Sequence, residues 1–232
     1  TSVFVNNIDV YNTFCTDINS LTFSGFDKVI QEGNIVVLNM NIAKYDILSK
    51  IIATYLKLDF QSEVLSNISN NKTKTCAFIC DEYHEYVTST DSAFFAQSRE
   101  AKCINIVATQ SYSSILSTIK DTNTTKVIIQ NLINKLWFRN DDLFTIEEAQ
   151  KQLGKEDKIR TSKSIAENGN SINYNLFLNN FVSSNSSFSE SVSTYTQNDF
   201  IYDSSFFSQN LETFSCIAFL SNGNSSYNVR KS

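Results

Sequence analysis

Short continuous apolar runs, separated by stretches with helical spacing, divide the chain into strands and helices. The first run, Ile35-Val36-Val37-Leu38-Asn39-Met40, is bounded by turn residues and predicts a buried strand. Before it, Phe14, Ile18, Leu21, Phe23 and Phe26 have mixed spacing and predict a helix plus a connector. Tyr45, Ile47, Leu48, Ile51, Ile52, Tyr55 and Leu56 mark an amphipathic helix, and Asn67–Lys74 reads as a loop. A second strand, Thr75–Cys80, runs straight into Asp81-Glu82. Asp91–Ala101 suits a helix with Asp91 as its cap. A third strand, Cys103–Thr109, ends at Gln110-Ser111, and helical stretches follow around Ser113–Ile119 and Val127–Ile133. A fourth strand, Lys135–Phe138, ends at Arg139. Thr145-Ile146-Glu147-Glu148 has the form of a capping box opening a helix over Ile146–Leu153, which Gly154 stops. Thr161–Tyr202 is polar and rich in Ser and Asn, a weakly ordered hairpin or a long excursion, and Phe214–Leu220 is a last strand.

Strands that alternate with helices, and that are apolar throughout instead of every second residue, predict an α/β fold: a mostly parallel sheet with helices on both faces. The organisation expected is a connector or the end of an upstream helical segment over 1–33, an α/β core over 34–160 and a C-terminal extension over 161–232.

Composition narrows the picture. The 232 residues carry a net charge of −5, which argues against a free-standing basic DNA binder but not against DNA held in a ring of subunits. No apolar run approaches the roughly 18 residues a membrane helix needs, and no signal peptide is recognisable, so a soluble segment is expected. Proline is absent and Gly numbers only 5, so turns fall to Asn, Asp and Ser, which reflects the coding composition of the source more than the fold. The 5 cysteines are odd in number and scattered, which fits a reducing compartment better than a disulfide framework.

Ligands of open parallel sheets bind beyond the carboxyl ends of the strands. Right-handed crossovers bring Asp81-Glu82, Gln110 and Arg139 to one edge. An apolar strand ending in Asp-Glu is the Walker B arrangement, in which the first carboxylate holds Mg²⁺ and the second orients the attacking water. It is equally the pattern of a solvated acidic turn. Gln110 adds a neutral amide that could sense a γ-phosphate or position water, and Arg99 lies between the two strands. Arg139 is either a second phosphate-facing cation or half of an ordinary salt bridge. His84, with Asp81, Glu82 and Glu85, superficially resembles a metal cluster, but four ligands within five residues cannot all converge from one strand end. Cys76 and Cys80 share a side of their strand without further support for a thiolate site. Trp137 and Phe138 read as core, and Ser183–Ser193 as a surface loop.

The strings Phe78-Ile79-Cys80-Asp81-Glu82-Tyr83, Ser98-Arg99-Glu100-Ala101-Lys102 and Val107-Ala108-Thr109-Gln110-Ser111 resemble the TraG/TraD-type coupling ATPases of conjugative type IV secretion, RecA-like relatives of FtsK and HerA. Asn34–Leu58, Leu153-Gly154-Lys155 and Phe206–Asn222 extend the resemblance. It implies an incomplete RecA-like fold, ATP and Mg²⁺ as cofactors, Asp81 at the metal, Glu82 as catalytic carboxylate, Gln110 in the third nucleotide-site motif and Arg99 as a finger reaching a neighbouring subunit. It further implies a homo-hexamer at the cytoplasmic face of the inner membrane, moving single-stranded DNA with its relaxase toward the secretion-channel proteins. Two departures stand out. Tyr83-His84 replaces the aromatic and proline that often follow the acidic pair, so a less rigid loop is expected. No Gly-x-x-x-x-Gly-Lys-Ser/Thr occurs, so the phosphate cradle is missing, and the expectation is a C-terminal portion of a longer protein that is inactive by itself. The alternatives are another HerA- or FtsK-like motor for DNA processing or packaging, and a non-catalytic interaction module derived from such a motor.

Overall fold

The computed structural model describes residues 6–15, 17–70, 74–167, 188–221 and 227–231. The N-terminal part is helical: α1 (Ile8–Phe14), α2 (Phe26–Glu32), the single turn α3 (Ile42–Tyr45) and the long α4 (Ile47–Ser69). Gly33 ends α2 in the left-handed region, φ 75 and ψ 29, where its own N–H and that of Asn34 reach the Val29 carbonyl. Along α4 the buried positions Lys57, Phe60, Gln61, Val64 and Asn67 fall at three- and four-residue spacing, so one stripe faces inward. The helix continues past Asn67 where a loop is expected, and 71–73 lie outside the described residues.

β1 (Cys76–Cys80) and β2 (Cys103–Val107) form a parallel pair in which Cys76 stands opposite Cys103 and Cys80 opposite Val107. The crossover between them contains α5 (Asp91–Gln97). After β2 come α6 (Tyr112–Ile119), α7 (Thr122–Asn131), β3 (Lys135–Phe138) and α8 (Leu143–Leu153). β4 (Lys155–Glu167) and β5 (Phe188–Phe200) make a long antiparallel hairpin. β6 (Cys216–Ser221) pairs antiparallel with both β3 and β7 (Tyr227–Lys231).

The α/β character is as expected. Among the described residues parallel pairing is confined to β1 and β2, while β3 takes an antiparallel partner from the C-terminal part. Helices cover one face of the parallel pair: Phe60, Val64, Tyr83, Phe94, Phe95, Ile115 and Ile128 form its core with Phe78 and Val107. Its other face exposes Ile79, Ile104 and Ile106 among the described residues. A second core joins Trp137, Ile146, Ala149, Leu153, Phe207, Ile217 and Phe219 across β3, α8, β6 and the helical turn Phe206–Asn210.

Several local expectations are corrected. Residues 35–40 form no strand, and Ile35 and Val37 are 89% and 80% exposed. An apolar run becomes a strand only when another strand's edge receives its N–H and C=O groups, and no described backbone bond outside the regular elements reaches 35–40. Phe138 is 55% exposed while Trp137 is buried, because neighbours on a strand point to opposite faces. Asp142, not Thr145, caps α8, its carboxylate accepting from the Thr145 N–H at 2.9 Å. The Ser-rich stretch is split: 183–187 lie outside the described residues and 188–193 belong to β5.

Candidate functional site at the carboxyl edge of the parallel strands

The parallel ladder continues one step beyond the strands proper: the Ala108 N–H donates to the Cys80 carbonyl at 2.9 Å, and the Tyr83 N–H donates to the Ala108 carbonyl at 2.8 Å. Asp81 and Glu82 are thus held between two bonds to the neighbouring strand. Glu82 sits in the left-handed region, φ 47 and ψ 43. That conformation costs a non-glycine residue on the order of 1 kcal/mol or more and persists only where the surroundings fix it. One fixing contact is local, the Glu82 N–H donating to Asp81 Oδ1 at 2.9 Å. The other comes from Tyr83, whose fully buried hydroxyl donates to Asp91 Oδ2 at 2.7 Å.

Asp91 is the centre of a buried polar cluster. Its carboxylate accepts from Lys57 Nζ at 2.8 and 2.7 Å, from Gln61 Nε2 at 3.0 Å and from the Thr88 N–H at 3.0 Å. Lys57 also donates to the Tyr86 carbonyl at 2.8 Å. Burial pulls the Lys57 ammonium below its ordinary range and Asp91 opposes this, while burial beside Asp91 pushes the Tyr83 phenol well up. Asp91 therefore does not cap α5 as the sequence suggests; it ties α4 and the turn after the acidic pair into one unit. Where the proline is absent, Tyr83 is fully buried and bonded to Asp91.

Gln110, three residues beyond β2, brings Nε2 to 3.4 and 3.3 Å from the two carboxylate oxygens of Glu82, long contacts that straddle the group. Its backbone is fixed by Asn140, whose Nδ2 donates to the Gln110 carbonyl at 2.7 Å. Asn140 in turn accepts from the Asp142 N–H at 2.7 Å, and Asp142 takes the Ser113 hydroxyl at 2.6 Å. Partial burial works against the Asp142 carboxylate, but hydrogen bonds from Ser113 and Thr145 win and hold it below its ordinary range. His84 completes the edge: Nδ1 lies 3.3 Å from Thr109 Oγ1 and 3.5 Å from Glu82 Oε2, and Nε2 lies 3.5 Å from Glu85 Oε1. Glu85 continues the chain to Lys50 as an ion pair.

Asp81, Glu82 and Gln110 therefore share one edge, and β3 ends beside them. Arg139 is exposed there. Arg99 is not at this edge; it lies in the turn between α5 and β2, at the opposite end of the strand, its carbonyl accepting from the Lys102 N–H at 3.1 Å. Among the described residues no group of three or more His, Cys, Asp or Glu could hold a metal ion. The donor set suits a Mg²⁺ that arrives with a nucleotide, since Mg²⁺ keeps its waters and phosphate oxygens and needs only one or two protein carboxylates. One oxygen of Asp81 is engaged by the Glu82 N–H, and the residue is exposed. The phosphate-cradling half of such a site has no counterpart in the sequence.

Sequence reasoning missed the Lys57–Asp91 pair, Asn140 and the bridging position of His84. Lys57 did leave a signal, a charged residue inside the apolar stripe that continues through Phe60 and Val64. Asn140 left none.

The chain was compared with known proteins. A family model described as the type IV secretion-system coupling protein DNA-binding domain matches residues 3–191. No curated protein matches the chain.

Proposed function

Since the chain belongs to the type IV secretion-system coupling protein DNA-binding domain family, we propose that it is the acidic-pair half of the motor of a coupling protein, which uses ATP hydrolysis to drive DNA and its relaxase into a secretion channel. The observation that carries this reading is the contact of Glu82 with Gln110 at the carboxyl edge of two parallel strands. In it, the exposed carboxylate of Asp81 would hold the Mg²⁺ that accompanies the nucleotide and would help neutralise phosphate charge. Glu82 accepts a hydrogen bond from the attacking water and orients it. Gln110, in contact with the Glu82 carboxylate, would report which phosphates are present. ATP with Mg²⁺ supplies the phosphoryl group to be transferred.

Arg99, at the far end of β2, cannot serve this edge within one subunit. As a finger it serves a neighbour's nucleotide, which makes a ring, by resemblance a homo-hexamer, part of the proposal. DNA is the partner the family description supports; the relaxase, the channel proteins and anchoring at the inner membrane belong to the proposal. Among the described residues no helix is long and apolar enough to cross a membrane.

The test is made in a longer coupling protein that contains both this segment and a phosphate-binding loop. Glu82→Gln should lower DNA-stimulated ATP hydrolysis by about 10²–10⁴-fold while nucleotide binding persists. Residues 1–232 alone should show no Mg²⁺-dependent turnover. Wild-type hydrolysis in the Glu82→Gln protein, or turnover by 1–232 that Glu82→Gln abolishes, would overturn the corresponding half of the reading. The separation of Arg99 from the edge fits a finger only if a neighbouring subunit receives it, and otherwise fits a non-catalytic module; retained DNA binding with no hydrolysis in the longer wild-type protein would establish that alternative.

A further inference from the structure

Away from the acidic edge, α7 and α8 face each other across a cleft of about 320 Å³, at the lower end of the size range for small-molecule pockets. The two helices line it with the same spacing: Lys126, Ile129 and Gln130 on α7, and Glu148, Lys151 and Gln152 on α8. Lys135, the first residue of β3, and Tyr112, the first of α6, contribute from the remaining sides. Of its charged groups three are cations and one is an anion. Glu148 is already engaged by Lys151, at 3.0 Å. Neither the Lys126 nor the Lys135 ammonium has an ion-pair or hydrogen-bond partner among the described residues. Burial, opposed by the charge of Glu148, brings the pKa of the Lys135 ammonium down to about 8. Ile129 and the Tyr112 ring supply an apolar wall, and the two glutamines supply amides.

We infer that this cleft binds a phosphorylated small molecule of nucleotide size, its phosphate between Lys126 and Lys135 and its flat portion against Tyr112 and Ile129. The same chemistry is offered by a free nucleotide and by one nucleotide unit of a single DNA strand. The cleft is separate from the edge of Glu82, yet joined to it through Tyr112: this residue follows Gln110 by two positions, and its N–H donates to Thr145 Oγ1 at 2.8 Å. An occupant touching Tyr112 is therefore placed to bias where Gln110 sits.

The molecule carries its own reporter. Trp137, the only tryptophan, donates from Nε1 to the Tyr112 hydroxyl at 3.2 Å. The chain would be titrated with AMP, with inorganic phosphate and with a short oligothymidylate while Trp137 fluorescence is followed. A saturable response to AMP or to the oligonucleotide is expected, with inorganic phosphate weaker because it lacks the flat portion; which of the two saturates at lower concentration identifies the source. Lys126→Gln and Lys135→Gln should each weaken binding about tenfold, the loss of one charge-assisted contact. Lys126 is exposed, so Lys126→Gln tests the site even if Lys135→Gln perturbs folding. No saturable response to any of the three probes, or a response that both substitutions leave unchanged, would overturn the inference.

Discussion

The turn that follows β1 and the hairpin of β4 and β5 hold their shapes in opposite ways. The turn is short, contains a strained residue at Glu82, and is fixed from far along the chain by Lys57, Gln61 and Asp91. The hairpin pairs 13 residues with 13, yet Ile159, Val192 and Tyr195 are all more than half exposed. Its order comes from the ladder and from contacts between neighbouring strands. Where chemistry is proposed, the backbone is forced and buried polar groups hold it; where the chain is regular and wet, little is at stake in any one side chain. A strained conformation persists only where the surrounding structure over-determines it, and here the buried ion pair is part of that structure.

The largest effect should follow from cutting that backing. Asp91→Ala leaves Lys57, Tyr83 and Gln61 buried without their acceptor, and should destabilise the chain by about 3–5 kcal/mol in urea unfolding. Replacing both partners, Lys57→Met with Asp91→Leu, should recover much of the loss, since no buried charge then stands alone. If Asp91→Ala unfolds at the wild-type urea concentration, the turn is held by something else and the contrast with the hairpin fails.

This backing is also where sequence reading stops. The strands that became β1, β2 and β3 are legible because an apolar run is a local property, and Asp81, Glu82 and Gln110 could be brought together because parallel strands with a crossover put their carboxyl ends on one side. The run at Ile35–Met40 has the same local property and is no strand, because pairing depends on an edge that the run cannot advertise. Asp91 reads as a helix cap for a similar reason: four residues of context favour a cap, while the ligands that define its role come from Lys57 and Gln61, some thirty positions away. Asn140 is likewise visible only once β3 ends beside Gln110. Arg99 carries the resemblance in its sequence neighbours, and its place four residues before β2 already puts it at the amino end of that strand, away from Gln110.

A second, smaller effect has the opposite sign and bears on the strain itself. Glu82→Gly removes the Cβ that makes φ 47 unfavourable. The gain is offset in part by the freedom glycine adds to the unfolded chain, so a net stabilisation of about 1 kcal/mol is expected. The same substitution removes the carboxylate, and a longer coupling protein bearing it should lose hydrolysis as Glu82→Gln does. A more stable, inactive variant would identify Glu82 as a position held against its local preference. Unchanged or lowered stability would mean that the left-handed residue is comfortable, and that the turn is not the strained member of the pair.

The smallest effect belongs to the hairpin. Arg160 makes its best-formed ion pair, donating from Nε and Nη2 to one carboxylate oxygen of Asp199 at 3.1 and 2.6 Å. The short distance invites the conclusion that the pair holds β4 to β5, but half of the Arg160 side chain is exposed, 49%, and water already solvates what the pair would satisfy. The mutual pull raises the guanidinium pKa, yet that group is charged at every accessible pH with or without its partner. Its two contacts are also redundant with a ladder running from Lys155 opposite Phe200 to Glu167 opposite Phe188. Arg160→Ala should therefore leave the urea midpoint within experimental scatter and leave the far-ultraviolet strand signal intact. A clear drop in the midpoint would show that a single exposed side chain can organise the hairpin, and that its distinction from the buried, strained turn is one of degree.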